Sequence, residues 1–182
     1  MILKRFLFSI KNDANIIEFK DVKIIEKEAF AHDYTTEYLK FDNKIQIIKE
    51  SAFEKCNFLQ IVEIGENEHI NINKESEAPK YKNEFIVKKE ELPVAGTLTI
   101  QTNAFCNCSK LHTIILPAKK DITIEKDAFI GCAALRTIVF GSGVVSIHNQ
   151  NFTDSSNISF VCKTGTNEAD FAEKHGIGVI NI

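Results

Sequence analysis

Apolar and polar positions recur along this chain in a fixed order, clearest between Ile122 and Phe140. Counted from Phe129, Ile124 stands five residues before and Ala128 one before. Cys132, Leu135, Ile138 and Phe140 stand three, six, nine and eleven after. The same offsets from Phe105 give Ile100, Ala104, Cys108, Leu111, Ile114 and Leu116. From Phe53 they give Ile48, Ala52, Cys56, Leu59, Val62 and Ile64. Six offsets matched three times at a short period are the mark of a stacked repeat.

Each unit predicts two short strands and a turn. Leu135-x-x-Ile138-x-Phe140 alternates at period two, so Ile138 and Phe140 share a face. A second alternation is read in Ile122-x-Ile124, Leu98-x-Ile100 and Ile45-x-Ile47. The turn between the strands holds Ala-Phe and the Cys. One unit cannot bury these side chains alone, and stacked units turn them into continuous ladders. The expected fold class is therefore mainly β, a solenoid of about six rungs with short parallel strands and turns or short helical turns at the Ala-Phe positions.

The recurring Ile measures the repeat. Ile25, Ile48, Ile72, Ile100, Ile124 and Ile147 are 23, 24, 28, 24 and 23 residues apart. The first unit keeps Ala29, Phe30, Leu39 and Phe41 but has Asp33 and Thr36 in place of the Cys and Leu. The last has Asn151-Phe152, then Ile158 and Phe160, one residue short. Around Ile72 the Ala-Phe is missing. Residues 66–97 read either as a degenerate rung, favoured because the repeat step lands on Ile72, or as an inserted β-arm pairing Ile70–Ile72 with Phe85–Val87. We expect a single domain over 1–182: an N-terminal cap at 1–21, repeats over 22–160, and a C-terminal cap at 161–182. In that cap Thr166 is the expected helix N-cap, Glu168 and Asp170 fill the first turn, Gly176 is the stop, and 177–182 forms a closing strand.

The run Leu111-x-x-Ile114-x-Leu116-Pro117, followed by Ile124-x-x-x-Ala128-Phe129-x-x-Cys132, resembles the BspA-like leucine-rich repeat. The tail from Thr166 to Ile177 resembles the helical segment that closes such arrays. The resemblance covers about residues 22–182 and departs in the first unit, in the third, and in the Gly usual after the Ile. It implies a right-handed leucine-rich-repeat solenoid. It also implies a surface or secreted protein of the cell-surface antigen type, a non-enzymatic module that binds proteins of a host or neighbouring cell.

Composition narrows the partners. Net charge is −3 and Lys and Glu are intermixed, so nucleic acid is a poor partner. No apolar run reaches the ~18 residues of a membrane span. After Lys4-Arg5 the apolar run is too short for a signal core, so we expect a capping strand at Met1–Ile10 rather than a signal peptide, with a cytoplasmic location as the alternative. Of the five Cys, Cys56, Cys108 and Cys132 share the ladder offset, Cys106 and Cys162 lie off it, and all are expected reduced.

Candidate chemistry is sparse. Cys106-Asn-Cys108 with His112 offers thiolate and imidazole for zinc, but Cys108 is already a ladder residue and no fourth ligand stands at a sensible spacing. His32, His69, His112, His148 and His175 are scattered, none beside a nucleophile with an orienting third group. Gly141-Ser-Gly143 reads as a turn, and the sequon Asn107, Asn151 and Asn157 as turn residues. We expect no catalytic residues, metal or cofactor; a thiol- or metal-dependent hydrolase is the remote alternative, and an intracellular repeat scaffold the nearer one. The candidate binding surface is the strip beside the inward strand residues: Tyr38 and Lys40, Ile61 and Glu63, Thr113 and Ile115, Thr137 and Val139. It is apolar for a solvent face and is expected to bind a protein or glycan. The bland alternative is that β-branched residues simply stack well on a sheet.

Overall fold

The computed structural model describes residues 2–3, 15–65, 96–155 and 157–182. Their strands form two parallel sheets that the chain visits in alternation. The first, sheet A, has six strands in the order β1 (Ile2–Leu3), β3 (Ile24–Ile25), β5 (Ile47–Ile48), β7 (Thr97–Ile100), β9 (Asp121–Ile124) and β11 (Val145–Ile147). The second, sheet B, has seven in the order β2 (Ile16–Phe19), β4 (Tyr38–Phe41), β6 (Ile61–Ile64), β8 (Thr113–Ile115), β10 (Thr137–Val139), β12 (Ser159–Cys162) and β13 (Gly178–Asn181). One strand from each sheet makes a coil, and six coils stack into a solenoid. Helix α1 (Asn167–His175) lies between β12 and β13.

The ladders run as the spacing requires. Ile25, Ile48, Ile100 and Ile124 pair in register in sheet A, each at most 1% exposed. In sheet B, Leu39, Val62, Ile114, Ile138 and Phe160 form the inward row. The Ala-Phe corner makes a third ladder. The Phe30, Phe53, Phe105, Phe129 and Phe152 rings stack face to face, with centroids 5.2–6.1 Å apart. Backbone bonds tie the corner too: the amides of Phe30, Phe53 and Phe105 donate to the carbonyls of Ala52, Ala104 and Ala128, each at 2.8 Å. The ladder thiols of Cys56, Cys108 and Cys132 donate to the carbonyls of Phe30, Phe53 and Phe105 at 3.1–3.2 Å. Each Cys thus fills the core and satisfies a buried carbonyl of the preceding coil.

The expected rung at Ile72, and the alternative β-arm, lie outside the described residues. The coils on either side of them meet directly. β5 pairs with β7 and β6 with β8, and Phe53 stacks on Phe105 at 5.2 Å. No coil of the described residues stands between these neighbours. The N-terminal segment, expected as a cap, supplies β1 to sheet A and β2 to sheet B.

A smaller correction concerns the alternation read in Ile45-x-Ile47. Ile45 and Ile48 point inward at 0% exposure, whereas Ile47 lies on the outer face opposite Thr99. Val22 and Ile25 repeat that three-residue spacing one coil earlier, at 3% and 0% exposure.

The C-terminal block closes the stack. Gly176 ends α1 at a left-handed φ of 66°, and its amide donates to the helix carbonyls. Thr166 has the extended N-cap backbone, but its hydroxyl donates to the Lys163 carbonyl at 2.7 Å instead of capping the helix. Phe171 on α1 stacks on Phe160 and meets Phe152 edge-on, so the helix covers the end of the aromatic ladder.

Candidate functional site

The outer face of sheet B carries two rows. The first runs Ile16, Tyr38, Ile61, Thr113, Thr137, Ser159 and Gly178, the second Glu18, Lys40, Glu63, Ile115, Val139, Val161 and Ile180. Strand pairing holds neighbours within a row roughly 4.8 Å apart. All eight sequence-predicted strip residues fall in these rows.

Their exposure departs from expectation. Tyr38, Lys40, Ile61 and Thr137 are half-buried. Glu63, Thr113, Ile115 and Val139 are buried at 3%, 4%, 2% and 8% exposure, so those four are not a free surface. The reason differs along the strip. Ile115, Val139 and Val161 form an apolar cluster of their own, with Ile182 packed against it. Glu63 is held by its neighbours: the Tyr38 hydroxyl donates to its carboxylate, and the Lys40 ammonium lies 3.8 Å from it. Burial and the adjacent Glu63 carboxylate push the Tyr38 phenol well above its ordinary pKa. Thr113 accepts or donates a 2.9 Å hydrogen bond with the His112 ring. Sequence reasoning missed Val161 and Ile180, which continue the second row. Val161 lies 22 residues after Val139, so a shortened repeat step would have found it.

The thiol and imidazole candidates do not converge. Cys108 sits in the ladder, where burial beside Cys132 and Cys56 raises its pKa. Cys106 is half-buried and its thiol is also raised, chiefly by burial. His112 is lowered by burial, which favours the neutral ring. Raised thiol pKa values mean little thiolate for attack or metal binding. Among the described residues, no three of His, Cys, Asp and Glu are placed to hold a metal.

Outer Lys and Glu instead bridge adjacent coils. Lys27 pairs with Glu50 at 3.0 Å, Lys49 with Glu26 at 2.7 Å, and Lys44 with Asp21. Exposed pairs of this kind are screened by water and add little to stability.

With the stacked geometry established, the comparison with known families is decisive. The BspA type leucine rich repeat region, in six copies, matches residues 2–89 and 80–168. The chain belongs to that family. No curated protein and no solved structure matches it. The BspA-type repeat family suggests a protein-interaction repeat module. Among the described residues, no helix is long and apolar enough to cross a membrane.

Proposed function

We propose that this single-domain chain is a non-enzymatic interaction module, displayed at a cell surface or secreted, that binds a protein or glycan ligand through the outer face of sheet B. The observation carrying this reading is the in-register row of Tyr38, Ile61 and Thr137, which keep part of their surface on a rigid seven-stranded sheet. An amphipathic ring beside a half-exposed aliphatic and the Lys40 ammonium suits a contact surface. Such anchors lose little conformational entropy on binding. The surface or secreted location is supported by family membership. The absence of a catalytic role is supported by the raised thiols and the dispersed histidines.

The test must separate binding from folding. Ile115→Glu and Val139→Glu do not, because both residues are buried and a carboxylate there should lower the melting temperature. Ile61→Glu with Thr137→Glu changes only half-buried positions. Immobilised wild-type chain and this double variant are probed in parallel with purified extracellular-matrix proteins and a glycan array. We expect a ligand that binds the wild type and loses at least tenfold affinity for the variant at unchanged melting temperature. Ligands that bind both equally place the contact elsewhere and overturn the assignment.

A further inference from the structure

Sheet B ends differently from sheet A. α1 packs against β11, β12 and β13, so the last coil's core is covered. β13 itself is an open edge: all four of its residues are exposed, and its strand partner among the described residues is β12 alone. Its free side presents backbone amides and carbonyls at strand spacing, the groups that a further strand would satisfy. Val179 and Ile180 stand there at 39% and 47% exposure, two of the few large apolar side chains left open.

Proteins ordinarily blunt such an edge with charge, proline or a bulge. Gly178-Val179-Ile180-Asn181 has none of these. β2, at the other end of sheet B, carries exposed Glu18, and exposed Lys20 follows it directly. A head-to-tail contact in the sheet's own parallel register would set Ile180 opposite the Glu18 carboxylate, an apolar residue against a charge. Pairing β13 with itself opposes no charges.

We propose that β13 pairs antiparallel with β13 of a second copy of this chain, about a two-fold axis through Val179. Only a centre on one residue keeps the inner and outer faces of both copies aligned, because side chains alternate along a strand. Centred on Val179, the two Val179 side chains meet on the inner face and extend the row that runs through Phe160. Ile180 then falls opposite Gly178 of the second copy, which leaves its side chain room. The outer apolar row of Ile115, Val139, Val161 and Ile180 ends against that glycine instead of water. A four-residue edge makes a small interface, so the dimer forms at high concentration and is absent when dilute.

Sedimentation of the full chain up to the millimolar range tests this. The mass is expected to rise from 20.5 kDa toward twice that value. Ile180→Lys should stay monomeric throughout at unchanged melting temperature. The register is tested by Val179→Cys in a Cys106→Ser background, which removes the half-exposed native thiol. Directly opposed residues have Cα atoms roughly 4.5–5.5 Å apart, within disulfide range. Mild oxidation should therefore link two chains, whereas Val144→Cys at a 63% exposed position should not. A wild type that stays monomeric, a dimer that survives Ile180→Lys, or cross-linking no faster than in the Val144 control each overturns the proposal.

Discussion

The coils before residue 66 and those after residue 95 share an interior and differ outside. Inside, both carry the Phe corner, the Cys thiol bonded to the preceding carbonyl, and the Ile ladder of sheet A. Outside, the N-terminal coils are charged. Glu18, Lys40 and Glu63 succeed one another in the second row of sheet B, and Lys–Glu pairs bridge β3 and β5 at their exits. In the C-terminal coils the same row reads Ile115, Val139, Val161. The sheet A strands also differ: two residues each in β3 and β5, four each in β7 and β9. The inward ladder therefore dictates the coil, while the outer rows are free to be charged or apolar. Among the described residues β5 pairs with β7 and β6 with β8, so the two regions continue one register.

The shared interior is the part whose loss should cost most. Phe105 is 0% exposed and is stacked on both sides, by Phe53 at 5.2 Å and Phe129 at 5.4 Å. Phe105→Ala should cost about 3–5 kcal/mol, read from urea denaturation with the slope checked for two-state behaviour. Phe30, in the first Ala-Phe corner and 9% exposed, should cost less on the same substitution. Equal losses would mean that the first ring of the ladder is held as tightly as its middle.

That interior was also the legible part. Phe, Cys, Leu and Ile at fixed offsets are the imprint of stacking, because a coil that lost one would expose its neighbour. The alternation in the N-terminal coils was misread because Gln46 stands where Leu98 does, and Ile45 turns inward in its place. A period-two rule cannot anticipate that one-residue offset. The repeat step that lands on Ile72 falls outside the described residues; a spacing rule counts residues along the chain and does not say whether the chain enters the stack. The outer strip was found by position, since alternation fixes which residues face out. Its exposure was not legible. Burial of Glu63 depends on Tyr38 and Lys40 from the preceding coil, and that of Val139 involves a cluster with Val161 and Ile182. None of these contacts follows from spacing within one unit.

A second prediction concerns the charged outer row, where the two regions contrast most. The Tyr38 hydroxyl donates to the Glu63 carboxylate, which is 3% exposed. Tyr38→Phe leaves that carboxylate with Lys40 and should cost about 1.5–3 kcal/mol, as for hydrogen bonds to charged groups. The pair also predicts a pH dependence. An unfolded Tyr loses its proton near about pH 10, whereas burial and Glu63 raise the folded Tyr38 pKa. The folded chain then binds more protons than the unfolded one. The contribution is fully present below about pH 10 and declines as pH rises toward the folded value. Wild-type stability should therefore fall more steeply on the alkaline side than that of Tyr38→Phe. Thr137 and Val139 hold the corresponding places in the C-terminal region and do not titrate. Parallel alkaline slopes in wild type and variant would show that Tyr38 is not the group responsible.

The smallest expected effect compares the two regions at their corners. In the corners at Phe30, Phe53, Phe105 and Phe129 two residues adopt left-handed backbone. The position two before the Phe holds Glu28, Ser51, Asn103 and Asp127, at φ 54–59°. The position two after holds His32, Lys55, Asn107 and Gly131, at φ 58–74°. A β-carbon in this region costs roughly 1–2 kcal/mol, and Asn, with its short polar side chain, tolerates it better than Lys. The C-terminal corners thus use Asn and Gly where the N-terminal ones use His and Lys. Lys55→Gly should relieve that strain. Against this, glycine adds roughly 0.4–1 kcal/mol of unfolded-state entropy to be lost on folding, leaving a net stabilisation of roughly 0.5–1 kcal/mol. The lost Lys55–Glu54 pair at 3.2 Å is exposed and subtracts little. The converse change, Gly131→Lys, should destabilise by more. It restores the strain, and its β-carbon would come 2.2 Å from the Asn107 side-chain oxygen, which must rotate away. Opposite signs in urea midpoints would place the cost in the corner backbone that both regions share. If Lys55→Gly destabilises as well, the N-terminal corners are held by their side chains, and the two regions differ in how their turns are made as well as in what they display.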